Sequence, residues 1–278
     1  MKNNLQKIQI TAALLASILV NLTFYKAIKA QSLISSSSSI SFTAPPPPPN
    51  RSGAGSRGAA ASRGCGSDTQ SLMALVPDYE ETIKVEGENI PVIKVWGLTT
   101  SDYPTFWFFV PYDKSSITKL EFVIKDESQK PSKTVYRTLL SKPEKPGIIS
   151  VSTNKLIEPL QGNGTNYHWF LKVKYKCSPE KQEQLETVNG WIQRTKLNST
   201  FTQRLASATP LERAALYAEK GIWYDSLTAL AEIRISKPQN APAMANWESL
   251  LKSEELDSFA NYPLINCCQP TSQISKSK

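Results

Sequence analysis

Histidine is nearly absent from this chain, since His168 is the only one among 278 residues. Serine and cysteine hydrolases normally take their general base from a histidine, and no Gly-x-Ser-x-Gly motif is present either. The run Gly53-Ala54-Gly55 does not stand between a predicted strand and a predicted helix, so it is not a dinucleotide-binding motif. We therefore predict a protein that is not an enzyme, with no catalytic residue and no cofactor.

Patterns that would bind metal are also missing. The four cysteines include no Cys-x-x-Cys pair, so no zinc site is predicted. Carboxylates cluster between two predicted strands, but without the Asp-x-Asp-x-Asp-Gly order of a calcium-binding loop. We interpret the cluster as a solvated loop and predict no metal ligand in it. Its members are Asp78, Glu80, Glu81, Glu86 and Glu88.

Net charge is modest once the amino terminus is set aside. The chain carries +8, but its first 30 residues hold four lysines and no acid. Without that segment the net charge falls by four, to +4, and the remaining cations are scattered. This pattern argues against nucleic acid as a partner.

The first 30 residues have the form of a secretory signal peptide. Lys2 and Lys7 precede an uncharged run over residues 8–25, and Ala30 offers a small residue before a cut at Gln31. The alternative is an uncleaved anchor, although the densest apolar part is shorter than the ~20 residues of a spanning helix. We predict an exported protein, periplasmic or extracellular, with no membrane span after cleavage.

Residues 31–64 are of low complexity. A serine run at 35–39 leads to five prolines at 45–49 and then to a stretch rich in Gly, Ala, Ser and Arg. Such a segment buries too little apolar surface to offset its ordering entropy, so we predict a disordered linker. The alternatives are a reach-extending tether and a proline ligand for an aromatic groove.

Residues 65–196 alternate with period two, which predicts an antiparallel, immunoglobulin-like β-sandwich. The predicted strands lie at 72–76, 92–96, 105–110, 119–125, 133–140, 147–151, 166–177 and 187–193. In the strand over 166–177, Trp169, Leu171 and Val173 share one face with Cys177, while His168 lies on the other face among lysines. Cys177 is therefore predicted to point into the core.

An exported compartment permits disulfides, and four cysteines allow three pairings. Cys65 stands where the linker ends, so a bond from Cys65 to the inward-facing Cys177 is our preferred hypothesis. Cys267 and Cys268 are adjacent in sequence, and adjacent cysteines rarely bond to each other. They are expected to stay reduced, to pair with other chains or to exchange with the first pair.

The period changes after residue 196. Apolar residues then recur every three or four positions, which predicts a helical segment over 197–264 and a polar tail over 265–278. Thr209 and Pro210 signal one helix start, and Gly221 its end. The next helices are predicted at 223–236, 243–252 and 254–259. The first two have the spacing of a single tetratricopeptide-like hairpin, which is too little for a stacked array.

Six motifs give the chain a family resemblance: GLT at 97–99, PTFWFFVPY at 104–112, YHW at 167–169, GWIQR at 190–194, LERAALYA at 211–218 and GIWYD at 221–225. Together they resemble the cyanobacterial domain of unknown function 928 family over roughly residues 51–264. The resemblance implies an exported protein and implies no activity, cofactor or catalytic residue.

Four consecutive aromatic residues occupy the predicted strand over 105–110. Their side chains must point to both faces of a sheet, so Phe106 and Phe108 are expected in the sandwich core. Trp107 and Phe109 then need another cover, which the helical segment can supply. The alternative is an aromatic surface formed by Trp107 and Phe109 that binds glycan or protein.

These observations favour a non-catalytic binding or envelope-associated interaction module. Its partner would be a protein or glycan of the cell envelope. The alternative is a carboxylate-dependent hydrolase that acts on glycan, because glycosidases can work with two carboxylates alone.

Overall fold

Two β-sheets and a set of helices make up the protein in a computed structural model. The structure describes residues 39–45, 54–59, 65, 70–128, 130–153, 158–162 and 164–273. The predicted signal peptide and its cleavage site lie outside the described residues. The described residues from Ser39 onward belong to one compact unit, which contains both the strands and the helical segment.

The strands follow the predicted ones closely and add three. In chain order they are β1 Met73–Ala74, β2 Asp78–Val85, β3 Glu88–Thr99, β4 Thr105–Val110, β5 Ile117–Asp126, β6 Lys133–Leu140, β7 Gly147–Ser152, β8 Asn166–Tyr175, β9 Gln184–Arg194, β10 Leu264–Ile265 and β11 Pro270–Gln273. The additions are β2, β10 and β11.

Three of the four described helices begin at a residue whose side chain caps them. They are α1 Ser199–Ser207, α2 Pro210–Glu219, α3 Trp223–Ser236 and α4 Ala241–Lys252, followed by a 3-10 turn at Asp257–Phe259. Thr209 and Glu212 form a reciprocal capping box at the start of α2, and Gly221 follows its end with a positive φ of 70°. None of the helices in the described ranges is long and apolar enough to cross a membrane.

The sheets are sandwich-like, but they include parallel pairs, which corrects the prediction of an antiparallel, immunoglobulin-like sandwich. The large sheet has the order β11-β6-β5-β8-β9-β3-β2 and the small sheet the order β1-β4-β7-β10. The pairs β3–β9 and β7–β10 are parallel. These pairings differ from the two antiparallel sheets of an immunoglobulin domain, because β3 and β10 reach their neighbours from distant parts of the chain.

The two sheets meet through aromatic side chains. Phe106 of β4 packs on Phe122 of β5 with ring centroids 4.9 Å apart, and Phe108 packs edge-on to Trp169 of β8 at 5.6 Å. Gly190 of β9 lets Trp169 approach, since a Cβ atom there would lie 2.6 Å from the indole. The inward face predicted for the 166–177 strand is therefore the core face of β8.

The acidic cluster at 78–88 is a hairpin and not the predicted loop. Asp78, Glu80 and Glu81 lie in β2, which pairs along its whole length with β3. Glu86 and Gly87 form the two-residue turn, both with positive φ, as a tight antiparallel hairpin requires. Glu81 pairs with Lys94 across the hairpin. The carboxylates of β2 are therefore not a cluster of unpaired like charges.

The carboxyl-terminal segment joins both sheets, which corrects the predicted polar tail. β10 adds to the small sheet beside β7, and β11 adds to the large sheet beside β6. Between them Cys267 and Cys268 form a disulfide with each other, contrary to the expectation that adjacent cysteines rarely bond. Cys268 has a positive φ of 70°, and its N–H donates to Ser141 Oγ.

Two stretches of the predicted linker pack on the domain. Ile40 and Phe42 are buried, and Ser56 exchanges two backbone hydrogen bonds with Asn189 of β9. Arg57 donates to the backbone carbonyl of Glu254. A disordered linker over 31–64 is therefore wrong at residues 39–45 and 54–59, where backbone hydrogen bonds and two apolar side chains stabilise the ordered chain.

Loss of the Cys65–Cys177 bond is expected to destabilise the protein by about 2–5 kcal/mol, because the bond closes a loop with a sequence separation of 112. Urea unfolding of a Cys65→Ser/Cys177→Ser variant measures the loss. Cys267→Ser/Cys268→Ser is the matched control, since a bond between neighbours closes almost no loop. An equal loss in both variants, or free thiols at 65 and 177 in a non-reducing peptide map, would contradict this expectation.

Candidate functional site

A cleft of about 510 Å³ opens where the loop between β3 and β4 meets α2 and α3. It is bounded on one side by loop and strand residues and on the other by two helices. Its lining is rich in hydroxyl groups and aromatic rings. The lining residues are Thr99, Ser101, Tyr103, Pro104, Thr105, Pro210, Arg213, Tyr217, Tyr224, Asp225, Thr228, Ala229, Glu232, Ile233 and Ser236.

Asp225 holds the loop side of the cleft to the helix side. It lies in the first turn of α3, where a carboxylate also stabilises the helix dipole. Thr99 Oγ1 donates to Asp225 Oδ2 at 2.7 Å, and the Thr100 N–H donates to the same oxygen at 3.1 Å. The Thr100 hydroxyl donates to Oδ1. The carboxylate thus accepts bonds on both oxygens from one short segment of the loop.

Burial sets the electrostatics of Asp225. Loss of solvent raises the pKa of this carboxyl above its ordinary value, and the hydrogen bonds from Thr100 and Thr99 oppose that shift. Because its acceptor positions are taken up by the loop, Asp225 is a positioning residue that fixes the shape of the cleft.

Arg194 holds the same loop from β9. Its guanidinium pairs with Asp102 at 2.6 Å and donates to the backbone carbonyl of Leu160 at 3.0 Å and of Thr100 at 3.3 Å. Within the loop, the Tyr103 N–H donates to Ser101 Oγ at 3.1 Å. The loop wall of the cleft is therefore fixed from two elements and by its own turn.

The floor of the cleft is part of the aromatic core. Tyr224 is fully buried, its hydroxyl accepts from Trp169 Nε1 at 2.9 Å, and burial raises the pKa of the phenol. Thr228 accepts from Trp107 Nε1 at 3.0 Å. The cleft thus rests on groups whose polar atoms are already bonded.

Three further side chains line the helix side of the cleft. Arg213 and Glu232 are exposed on α2 and α3, and Tyr217 is half-buried on α2. Burial, followed by the negative charge of Asp225, raises the pKa of Tyr217, and a hydrogen bond with the Thr100 side chain opposes that shift. A cation, an anion and an aromatic hydroxyl therefore face the same space.

Asp225 and Glu232 are the two carboxylates of the cleft, and seven residues of α3 separate them by about 10 Å along the helix axis. Glycosidases place two working carboxyls roughly 5–9.5 Å apart, with one held protonated by its surroundings. Burial raises the pKa of Asp225, as in a general acid, but hydrogen bonds from Thr99 and Thr100 occupy both of its oxygens, and Glu232 is exposed.

Trp107 and Phe109 are buried and do not form an aromatic binding surface, which was the alternative considered for them. They are only 5% and 0% exposed. Trp107 bonds to Thr228 of α3, and Phe109 packs on Phe259 and Tyr262 with ring centroids 5.2 and 4.2 Å apart. The helices cover them because the small sheet would otherwise expose two large apolar rings.

The remaining residues singled out from the sequence lie away from the cleft lining. Cys65 and Cys177 are bonded in the structure, with Cα atoms 4.8 Å apart. His168 stacks on Trp191 with ring centroids 4.2 Å apart, and its nitrogens lie within hydrogen-bond distance of Glu127 and Asn189. In the described part of the chain, no group of three or more histidines, cysteines and carboxylates is arranged to hold a metal.

The motifs that carry the family resemblance meet at the cleft. Four of the six supply lining residues, and a fifth supplies Arg194, which holds the loop. Analysis of the sequence missed the site because these residues are far apart in the chain. The available signal was that these residues belong to the family motifs. The motif residues that line the cleft are Thr99, Pro104, Thr105, Arg213, Tyr217, Tyr224 and Asp225.

A family model described as Domain of Unknown Function (DUF928) matches residues 52–264, about three quarters of the chain. The chain belongs to this family. No curated protein and no solved structure matches it. The matched region begins within the amino-terminal stretch, after residues 39–45, and contains every residue that lines the cleft.

A second carboxylate cluster lies at the end of α4. Arg57 pairs with Asp78 at 3.2 Å and donates to the Glu254 backbone carbonyl at 2.8 Å. Burial raises the pKa of Glu254 to about 7, while the charge of Arg57 opposes the shift. Burial also raises the pKa of Asp78. Because burial disfavours the charged form of Glu254, the folded protein is most stable when this carboxyl is protonated.

Glu254→Gln is expected to stabilise the protein at pH 8 by about 1 kcal/mol, a value reduced for solvent screening, and to have little effect at pH 4. A carboxyl whose pKa is raised on folding binds more protons in the folded state, so wild-type stability falls as the pH rises from about 4.5 to about 7. Chemical unfolding at pH 4, 6 and 8 tests this. Glu248→Gln, at an exposed position on α4, is the control. A Glu254→Gln difference that is independent of pH would count against this prediction.

Proposed function

We propose that the protein is an exported, non-catalytic binding module of the cell envelope and that the cleft between the β3–β4 loop, α2 and α3 is its ligand site. The observation that carries the proposal is the convergence of the family motifs on this cleft. Residues that only build a core would not need to line an open space together. The proposal of export rests on the first 30 residues, which have the form of a signal peptide. Mass spectrometry of the native amino terminus tests it. An intact Met1 would contradict cleavage before Gln31.

The lining supports a glycan as the ligand. Hydroxyl groups from the loop and both helices, together with Arg213 and Glu232, offer alternating donors and acceptors of the kind that sugar hydroxyls need. Tyr103 and Tyr217 add aromatic faces on which a sugar ring can pack. The volume is within the range of about 300–1,000 Å³ that small-ligand sites occupy.

The alternative of a carboxylate-dependent hydrolase is less well supported. It needs two carboxyls free to exchange protons with a glycosidic oxygen and with water. Asp225 instead accepts hydrogen bonds from Thr99 and Thr100 on both oxygens. Glu232 remains as the one free carboxylate of the cleft lining.

The helical hairpin is the finer fold assignment that we keep as a proposal. The buried Ala214 and Ala218 of α2 and the buried Ala231 of α3 are small residues of the kind that let helices pack closely. Gly221 turns the chain between the helices. This single tetratricopeptide-like pair supports one wall of the cleft and packs on the sheets, instead of stacking on further repeats.

Titration with N-acetylglucosamine and glucose oligosaccharides, followed by calorimetry, tests the binding proposal. Binding of one series is expected, and Arg213→Ala and Tyr217→Ala are expected to weaken it at least about tenfold through loss of a charge-assisted hydrogen bond and of ring packing. Arg204→Ala, an exposed arginine on α1 outside this cleft, is the matched control and should bind as the wild type does.

The same mixtures separate binding from hydrolysis. Intact oligosaccharide after prolonged incubation is the result expected of a binding module. Release of shorter products by the wild type, lost in Glu232→Gln, would overturn the non-catalytic proposal and favour the hydrolase. Binding that is unchanged in both Arg213→Ala and Tyr217→Ala would place the ligand elsewhere.

A further inference from the structure

An extended segment, residues 39–45, lies on the helices next to the sheets. We call it the strap. It precedes the region that the family model matches, yet it covers buried residues of that region. Ile40 and Phe42, two positions apart, are 4% and 8% exposed. Alternate burial is what an extended chain shows when one of its sides packs on a surface.

Polar side chains of α4 bind the backbone of the strap. Asn246 Oδ1 accepts from the Ile40 N–H at 2.7 Å, and Ser249 Oγ donates to the Ile40 carbonyl at 2.9 Å. Asn246 and Ser249 are three residues apart, so they lie on one helix face and bind both backbone polar groups of a single residue. The Thr43 N–H adds a bond to the Ala218 carbonyl at the end of α2, at 3.2 Å.

Asn246 is itself held in place for this contact. It is 5% exposed, and its Nδ2 donates to the Pro242 carbonyl at 2.8 Å. That bond fixes the amide so that Oδ1 faces the strap. A buried acceptor without a donor costs about 1–3 kcal/mol, so the helix surface is arranged for an incoming N–H.

The apolar contacts of the strap are equally specific. The Phe42 ring packs edge-on to Trp223 with centroids 4.9 Å apart, and Trp223 is fixed by its own bond to the Leu75 carbonyl at 2.9 Å. Pro45 lies over Gly221, where a Cβ atom would come within 2.5 Å of the proline ring. Glycine at 221 thus ends α2 and also lets the strap approach.

We propose that this face of α2, α3 and α4 is a docking site for extended peptides with apolar residues at alternate positions, and that the strap occupies it as a tethered ligand. The contacts to the strap recognise a peptide backbone and two apolar side chains, Ile40 and Phe42. Any extended segment with the same pattern can supply these groups. The site shares no lining residue with the cleft, so the proposal does not depend on the proposed function.

Fluorescence anisotropy with a labelled peptide of residues 39–48 tests the docking site. In the full chain, Ile40→Ser/Phe42→Ser removes the apolar anchors of the strap and is expected to leave the site open to the peptide. The wild type should bind the peptide at least about tenfold more weakly, because its tethered strap competes at an effective concentration near the millimolar range. Adding Asn246→Ala to the double variant should weaken the binding at least about tenfold.

Any of three results would overturn the proposal. The first is a double variant that has the circular dichroism of the wild type and does not bind the peptide. The second is equal binding by the wild type and the double variant, and the third is equal binding of a control peptide with serine at positions 40 and 42. Either of these last two would indicate adhesion elsewhere.

Hydrogen exchange of the wild type keeps the test open if the double variant does not fold. Excess peptide is expected to speed exchange at the Ile40 and Thr43 amides, which are bonded to the site, and to leave the large sheet unchanged. Unchanged rates at both amides under saturating peptide would contradict a displaceable strap.

Discussion

Strand β4 has no side that faces solvent, and the rest of the structure depends on that constraint. Phe106 and Phe108 fill the space between the sheets, and Trp107 and Phe109 point the other way. Burial of each such ring contributes roughly 1.5–3 kcal/mol, so the second face of the small sheet cannot be left uncovered. The helices exist in this fold as that cover, which explains why they do not form a domain of their own.

The cleft and the strap both follow from this cover. Where α3 meets the strands, Asp225 fixes the loop after β3, and the space left between loop and helices becomes the cleft. The surface of α3 and α4 beyond it still carries Trp223 and Asn246, which the strap covers. One layer of helices therefore provides two different surfaces, a polar cleft and a groove that binds an extended backbone.

The sequence predicted local features well and distant ones poorly. The strands at 105–110 and 133–140, the bounds of α3 and the inward side of β8 follow from alternation, helical spacing and a turn glycine. β2 was missed because its glutamates form a charged pattern that is typical of a loop. In the structure, the pairing of Glu81 with Lys94 of β3 offsets part of that charge. β11 was missed because its Thr, Ser and Gln acquire strand structure only by pairing with β6. The cleft could not be predicted because Thr99 and Asp225 are distant in sequence and meet only in the folded chain. The same holds for Ile40 of the strap and Asn246 of α4.

The central claim is that sheets and helices stabilise each other through β4. Native-state hydrogen exchange of a Phe109→Ala variant tests it most directly, because Phe109 contacts Phe259 and Tyr262 and is fully buried. Our account expects the opening free energy to fall by a similar amount, about 3–5 kcal/mol, in β8 across the core and in α3 on the other side. A loss confined to the helices, with β8 unchanged, would show that the sheets fold without their cover and would contradict the account.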